Sequence, residues 1–213
     1  MSLNLVDIKT FAIGRFPKAN SSHDWEHTLR VYNICRHIGR VERADMEVLE
    51  VAAYLHDIGR PIQEQSRGVI CHAEKGAEMA SDFLAKALIS SGQRSNIIHC
   101  IRSHRFRGNC IPETLEAKVL FDADKLDAIG AIGIGRAFQF AGEIGAKFHN
   151  PDVNPEETKP YTKEDTGYRE YSLKLRKIKE RMLTVEGRCM AEARHEFMEI
   201  YFKRFLREYE GLL

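Results

Sequence analysis

Apolar residues recur at the spacing of an α-helix along nearly the whole chain, and no segment alternates like a β-strand. This pattern predicts helices at residues 4–15, 23–39, 44–57, 73–90, 93–104, 113–130, 169–183 and 186–211, with the 113–130 pattern continuing to about residue 144. Gly59, Arg60 and Pro61 end the helix at 44–57. The 213 residues suffice for one helical core, so we expect an all-α fold in a single domain, residues 1–213.

Residues 147–168 depart from the helical pattern. They are polar and contain Pro151, Pro155 and Pro160, which is typical of a long exposed loop. Such a loop either closes over a substrate as a lid or is ordinary surface, and the sequence leaves both readings open.

The charge balance favours neither a nucleic-acid partner nor a membrane. The chain has 32 basic and 31 acidic residues, a net charge of +1, so any anion-binding patch must be local. No apolar run is long enough for a membrane span, and the five cysteines form no CxxC pair. We expect a cytoplasmic protein with reduced thiols, either a monomer or a homodimer.

Two candidate metal ligands lie on the apolar faces of their helices. His27 lies four residues before Val31, and Asp124 lies four residues after Leu120, so each shares a helix face with core residues. Asp122 is expected on nearly the opposite face.

An adjacent pair, His56 and Asp57, follows the apolar run of the helix at 44–57. Neighbours on a helix diverge by about 100°, so both reach one ion only at a helix end. The break at residues 59–61 supplies that end.

Taken one at a time, these four residues have ordinary explanations, since a buried histidine is more often a hydrogen-bonded core residue than a ligand. Together, two imidazoles and two carboxylates are costly to bury unless a cation pairs them. We therefore predict that His27, His56, Asp57 and Asp124 bind a divalent metal. A nitrogen–oxygen donor set without thiolates suits Mn²⁺, Mg²⁺, Fe²⁺, Co²⁺, Ni²⁺ or Zn²⁺.

The same positions resemble the H…HD…D signature of the HD superfamily of metal-dependent phosphohydrolases. The segments SHDWEHTLRV at 22–31, DADKLDAIGAIG at 122–133 and AEARHEFM at 191–198 are similar to a branch of small single-domain HD hydrolases. The resemblance covers nearly the whole chain. It implies an HD-type helical bundle, the same four ligands, and activity on the phosphoester or pyrophosphate bond of a nucleotide.

Further residues are candidates for catalysis. We expect Asp57 to orient the attacking water as well as bind the metal. Asp127, one turn after Asp124, is expected to orient the metal ligands by hydrogen bonding without binding the metal itself. His104 is in register with Ile101, so it faces inward and is a candidate acid or base.

A phosphate substrate also requires positive charge, for which we select Arg60, His72 and Arg105. Related HD enzymes often carry a phosphate-binding Lys three residues after the Asp of the HD pair, where this chain has Arg60. His72 and His104 bind substrate, act as a general acid, or hold a second metal. Arg105 belongs to a basic cluster at 102–107, for which a solvated helix end is the ordinary explanation.

Three functions compete. The favoured one is a metal-dependent phosphohydrolase acting on a small phosphorylated molecule, with nucleotides preferred. The second is a sensor that binds metal and nucleotide without turnover. The third is a nucleic-acid module using the 102–107 cluster, which the near-neutral charge and the inward-facing His104 disfavour.

Overall fold

The computed structural model describes residues 4–16, 25–105 and 110–213, so Phe106 and Arg107 lie outside the described residues. Within these ranges there are α-helices, two 3₁₀ segments and no strand, which confirms the all-α prediction. The α-helices are α1 (Leu5–Ile13), α2 (Trp25–Glu42), α3 (Met46–Leu55), α4 (Arg60–Gln65), α5 (His72–Leu84), α6 (Ser91–Ser103), α7 (Leu115–Leu126), α8 (Gly130–Glu143), α9 (Gly167–Leu173) and α10 (Val185–Tyr209). None of the helices in these ranges is both long and apolar enough to cross a membrane.

The chain divides into two compact units, Met1–Asp124 and Lys125–Leu213. The prediction of one domain over residues 1–213 stays a prediction. In the first unit α3 is the central helix, packed against α1, α2 and α6, while α5 packs against α4 and α6. Because α3 is surrounded, seven of its ten residues are buried. Asp45 caps its first turn by accepting from the Glu47 and Val48 amides.

The predicted break after α3 is present, but the chain does not leave helical structure there. Arg60 begins α4, and Pro61 lies in its first turn, where proline fits because no helical partner is required of its nitrogen. Gly59 allows the turn at 56–59 to lie directly on α5. A Cβ at Gly59 would be 2.3 Å from the His72 carbonyl oxygen and 2.7 Å from the Gly76 nitrogen.

In the second unit α8 packs against α9 and α10, and α10 also packs against a 3₁₀ segment, Leu175–Arg181. Phe202 of α10 is buried and stacks on Tyr171 at 4.0 Å between ring centroids. Aromatic side chains thus form much of this core.

Three helix predictions were wrong at their boundaries. The helix at 73–90 ends at Leu84. The helix at 113–130 does not continue to about residue 144, because the chain turns after Leu126 and restarts at Gly130, whose φ of +77° suits glycine. The helix at 169–183 is divided at Lys174 into α9 and the 3₁₀ segment Leu175–Arg181.

Of the predicted loop at 147–168, residues 167 and 168 already belong to α9, while residues 147–166 are a loop whose main regular feature is a 3₁₀ turn, Pro155–Glu157. Arg169 fastens its end, donating to the Asp165 carboxylate at 2.7 Å and to the Thr158 carbonyl at 3.0 Å. A role as a lid stays a prediction.

Candidate metal centre

Six histidine and aspartate side chains of the first unit converge, each from the end or inner face of a helix. Five are at most 3% exposed, and the Asp124 side chain is 17% exposed. The set consists of His27 on α2, His56 and Asp57 in the turn after α3, His72 at the start of α5, His104 directly after α6, and Asp124 on α7.

The beginning of α7 is tied to its neighbours by one buried carboxylate. Glu116 accepts from the Asp45 amide at 2.8 Å and from the Asn96 side chain at 2.9 Å. These bonds join α7 to the start of α3 and to the middle of α6, and two turns later α7 presents Asp124.

His27, His56 and Asp124 form the first group of potential ligands. The His27 Nε2 atom is 3.4 Å from His56 Nε2 and 3.3 Å from Asp124 Oδ1. Two donors that each lie about 2.1 Å from one ion are about 3.0–3.4 Å apart, depending on the angle between them. The observed separations therefore fit a single cation.

Asp57 faces both sides of the cluster. Its Oδ2 atom is 3.7 Å from His27 Nε2 and 3.9 Å from His56 Nε2, while Oδ1 is 3.3 Å from His72 Nε2 and 3.5 Å from His104 Nε2. A carboxylate in this position can bind a cation through one oxygen and orient water or substrate through the other.

Asp57, His72 and His104 form a second group of potential ligands. The Nε2 atoms of His72 and His104 are 3.2 Å apart. His72 and His104, both predicted from the sequence, thus lie in this cluster. His104 is buried, so the inward orientation predicted for it is confirmed.

The other ring nitrogens of three histidines contact oxygen acceptors. Nδ1 of His56 is 2.7 Å from the Ala53 carbonyl, and Nδ1 of His104 is 2.6 Å from the Ile101 carbonyl. Nδ1 of His72 is 2.9 Å from Gln63 Oε1. Because these oxygens only accept, each Nδ1 carries the proton in the neutral ring and each Nε2 presents a lone pair to the site.

Burial favours the neutral form of two of these rings, because it lowers the pKa of His56 to about 4 and that of His72 to about 3, against an ordinary 6.5. With the proton of each ring on Nδ1, the facing Nε2 atoms of His72 and His104 both present lone pairs and cannot hydrogen-bond to each other. A cation among these nitrogens would satisfy them, so the donor set fits a divalent metal.

Arg60 is the charge partner of Asp57. Burial opposes ionisation of Asp57, yet the nearby Arg60 guanidinium, with the surrounding imidazoles, holds the pKa of this carboxyl well below its usual range. Arg60 donates from Nη2 to Oδ2 at 3.0 Å and from Nε to the same oxygen at 3.2 Å. The sequence interpretation gave Arg60 to the substrate phosphate and did not foresee this pair.

Arg105, another predicted phosphate ligand, contacts Cys71, with its Nη1 atom 3.0 Å from the Cys71 Sγ atom. Arg102 of the same basic cluster pairs with the exposed Glu74 at 3.0 Å. Neither contact places a guanidinium on the six-residue cluster.

Three acidic or basic side chains of α7 and the following turn differ from expectation or have unforeseen partners. Asp122 was expected on the outer face but is fully buried, and Lys125 is 6% exposed. Asp127 is buried in the second unit, where its carboxylate accepts from Arg136 at 2.7 Å.

Sequence reasoning also missed the groups that orient the histidines. Gln63 lies nine residues before His72 in a helix that was not predicted, so no spacing rule connects the two. The carbonyl contacts did have a signal. His56 and His104 each directly follow the last residue of a helix, which places the carbonyl three residues earlier within reach.

The chain is similar to a known protein over nearly its full length and to one family profile over about half of it. The HD domain family profile matches residues 24–129, which contain all six clustered residues. The protein YpgQ of Bacillus subtilis (strain 168) is 33% identical over 209 residues, 96% of this chain and 93% of YpgQ.

Solved structures agree with this similarity. The crystal structure of Bacillus subtilis YpgQ in complex with ADP matches with a TM-score of 0.75 and 30% identity, covering 99% of this chain and 100% of that one. The crystal structure of an HD-superfamily hydrolase from Bacillus thuringiensis matches with a TM-score of 0.76 and 28% identity, covering 97% of this chain and 96% of that one.

Proposed function

The chain belongs to the HD domain family, which binds divalent metals, and we propose that it is a phosphohydrolase that cleaves a phosphoester or pyrophosphate bond of a small nucleotide. The observation that carries this proposal is the convergence of His27, His56, Asp57 and Asp124 with donor separations suited to one cation. Nucleotides are the proposed substrate class because the related YpgQ was crystallised with ADP.

In this proposal His27, His56, Asp57 and Asp124 hold the cation. When bound, it lowers the pKa of water and stabilises negative charge on a phosphoryl oxygen. These four protein donors would leave further coordination positions of a six-coordinate cation open to oxygen ligands from water and substrate.

His104 and Asp57 are the proposed residues for handling the proton of the attacking water. Asp57 Oδ1 lies 3.5 Å from His104 Nε2, and both atoms accept protons in the neutral-imidazole state. A water held between them would donate one O–H to each: His104 takes one proton, and Asp57 accepts from the remaining O–H and so sets the direction of the oxygen lone pairs. Asp127, bound to Arg136, supports the turn that follows α7.

The substrate phosphates are proposed to contact Arg60, His72 and Arg105. Arg60 already lies at the edge of the cluster with its side chain 16% exposed, and a guanidinium binds phosphate through two parallel hydrogen bonds. His72 presents Nε2 to the same space, fixed in direction by Gln63.

The experiment is a screen of metal-stripped protein supplied with Mn²⁺, Mg²⁺, Co²⁺, Ni²⁺ or Zn²⁺ against nucleoside mono-, di- and triphosphates and cyclic nucleotides. Phosphate and pyrophosphate are detected separately, so the product identifies the bond. Turnover that needs the cation and disappears in Asp57→Asn supports the proposal. Nucleotide binding by calorimetry without turnover under any cation would overturn it in favour of a sensor.

A further inference from the structure

The longest helix of the second unit, α10, has an apolar face on each of two opposite sides. The residues on the inner side are buried in the core of that unit: Gly187, Ala191, His195, Met198 and Phe202. On the opposite side Val185 is 68% exposed, Phe197 is 46% exposed and Ile200 is 70% exposed. Cys189 and Ala193, between them, are exposed too.

These five exposed residues follow one another as a stripe along one side of the helix. At 100° per residue they fall within an arc of about 120°, which they share with charged residues: Glu186, Glu196, Lys203, Arg204 and Arg207. The stripe is about 22 Å long at the helical rise. A solvated helix face is ordinarily polar, so an apolar stripe directly opposite the buried face favours a protein partner.

One edge of the stripe carries charges of opposite sign in its two halves. Glu196 and Glu192, which already accepts from Lys179 at 2.8 Å, lie in the N-terminal half, and Lys203 and Arg207 follow on the same edge in the C-terminal half. All four are exposed and fall within an arc of about 60°. A helix with this distribution is complementary to a copy of itself running in the opposite direction.

The geometry points to an antiparallel pairing of α10 with α10 of a second copy, centred near residue 199. In that register Phe197 of one copy packs against Ile200 of the partner subunit, and Glu196 pairs with Lys203 of the partner subunit. Twofold symmetry makes each contact twice. The proposal concerns the second unit and does not depend on the metal centre or its function.

The size of the stripe sets the strength of the association. A single pair of helices with five apolar residues on each buries less than the about 800 Å² per partner of a typical stable interface. We therefore expect a reversible dimer with a dissociation constant on the order of micromolar.

The test is sedimentation equilibrium of the full chain from low to several hundred micromolar. The wild type should associate to a dimer, and Ile200→Glu should weaken the dimer about tenfold or more by placing a charge in the stripe. The matched control is Leu88→Glu, which changes an apolar residue of the first unit that is 78% exposed, slightly more than Ile200, and should leave association unchanged. A protein that stays monomeric at the highest concentration overturns the proposal.

A charge exchange tests the register. Glu196→Lys alone should weaken the dimer about tenfold, because two like-charged pairs replace two attractive ones. The double variant Glu196→Lys with Lys203→Glu should restore it. These residues are seven apart on one helix and do not contact each other within a copy, so failure of the restoration overturns the antiparallel arrangement.

The native Cys189 tests the direction. In the antiparallel pair the two Cys189 thiols are about 30 Å apart, so mild oxidation should give no covalent dimer. A disulfide-linked dimer that disappears in Cys189→Ser would indicate a parallel pair and would overturn the inference.

Discussion

The guanidinium of Arg60 and the carboxylate of Asp57 form an ion pair in which Nη2 lies 3.0 Å from Oδ2, the oxygen that also faces His27 and His56. Arg60 and a divalent cation therefore compete for one oxygen. This competition separates the effect of Arg60 on metal binding from its effect on a phosphate substrate.

Replacing Arg60 should have opposite effects on these two processes. Arg60→Gln should bind Mn²⁺ severalfold more tightly, because a buried positive charge next to the cation is removed. It should lower kcat/KM about tenfold or more through the lost phosphate contact. Titration calorimetry measures the first and steady-state kinetics the second.

Arg60→Lys is the control, since it keeps the charge and loses the two-pronged geometry. It should leave the metal affinity near that of the wild type. Equal losses of affinity in both variants would mean that Arg60 only stabilises the turn.

Removal of a proposed ligand should abolish metal binding and turnover together. Asp57→Asn keeps the shape of the side chain and removes its charge, and His56→Ala removes one nitrogen donor. Each should reduce Mn²⁺ affinity by a factor of about 100 or more and eliminate hydrolysis.

Elemental analysis of the purified variants gives the metal content, and thermal unfolding shows that they are folded. His37→Ala, on the exposed side of α2, is the matched control and should keep both metal and activity. Normal metal content in His56→Ala would contradict the assignment of that residue.

The sequence was sufficient for the parts of the site that depend on helical period and chain breaks. His27 lies inward because it repeats with Val31 on an amphipathic helix, and both are buried. His56 and Asp57 could be assigned to a helix end because Gly59 and Pro61 follow them, and the turn lies there.

The spacing of apolar residues predicted the wrong side for Asp122 because α7 is buried on several sides. In α7 the consecutive residues Val119 and Leu120 are both buried, as are Asp122 and Ala123. The part-exposed positions of α7 are 115, 118, 121 and 124, so its more open side carries Asp124, Asp122 lies on the buried side, and placing Asp122 outward was wrong. The pattern counts apolar residues, so it assigns a carboxylate such as Asp122 to the solvent side even where that carboxylate is buried.

The break between α7 and α8 was missed for a different reason. Apolar residues continue across it, and nothing in their spacing marks the turn. The signal was Gly130, whose positive φ is accessible to glycine, but one glycine among several in this segment does not identify itself.

The metal-free protein should lose stability as the pH falls below about 6.5. In the folded state the pKa of His56 is about 4 and that of His72 about 3, while in the unfolded chain both are near 6.5. Between these values the unfolded chain binds more protons, so the free energy of unfolding decreases with falling pH. The slope approaches about 1.4 kcal/mol per pH unit for each imidazole.

Urea unfolding of metal-stripped protein between pH about 7.5 and about 4.5 measures this slope. Stability should be constant above pH about 7 and fall below it. His72→Gln should reduce the slope, since one of the two titrating rings is absent. An unchanged slope in that variant would show that the rings do not resist protonation in the fold.

Gly59→Ala should disturb the site through the backbone. The new Cβ would lie 2.3 Å from the His72 carbonyl oxygen, so the turn that carries His56 and Asp57 must move away from α5. We expect the free energy of unfolding to fall by about 2 kcal/mol or more, measured by urea denaturation, and Mn²⁺ affinity to fall with it.

Gly135→Ala in α8 is the matched control, because its Cβ meets nothing within 4 Å. It should be more stable than the wild type by about 0.5–1 kcal/mol from helix propensity alone. Gly59→Ala with wild-type stability and metal affinity would show that the contact between this turn and α5 is not required for the site.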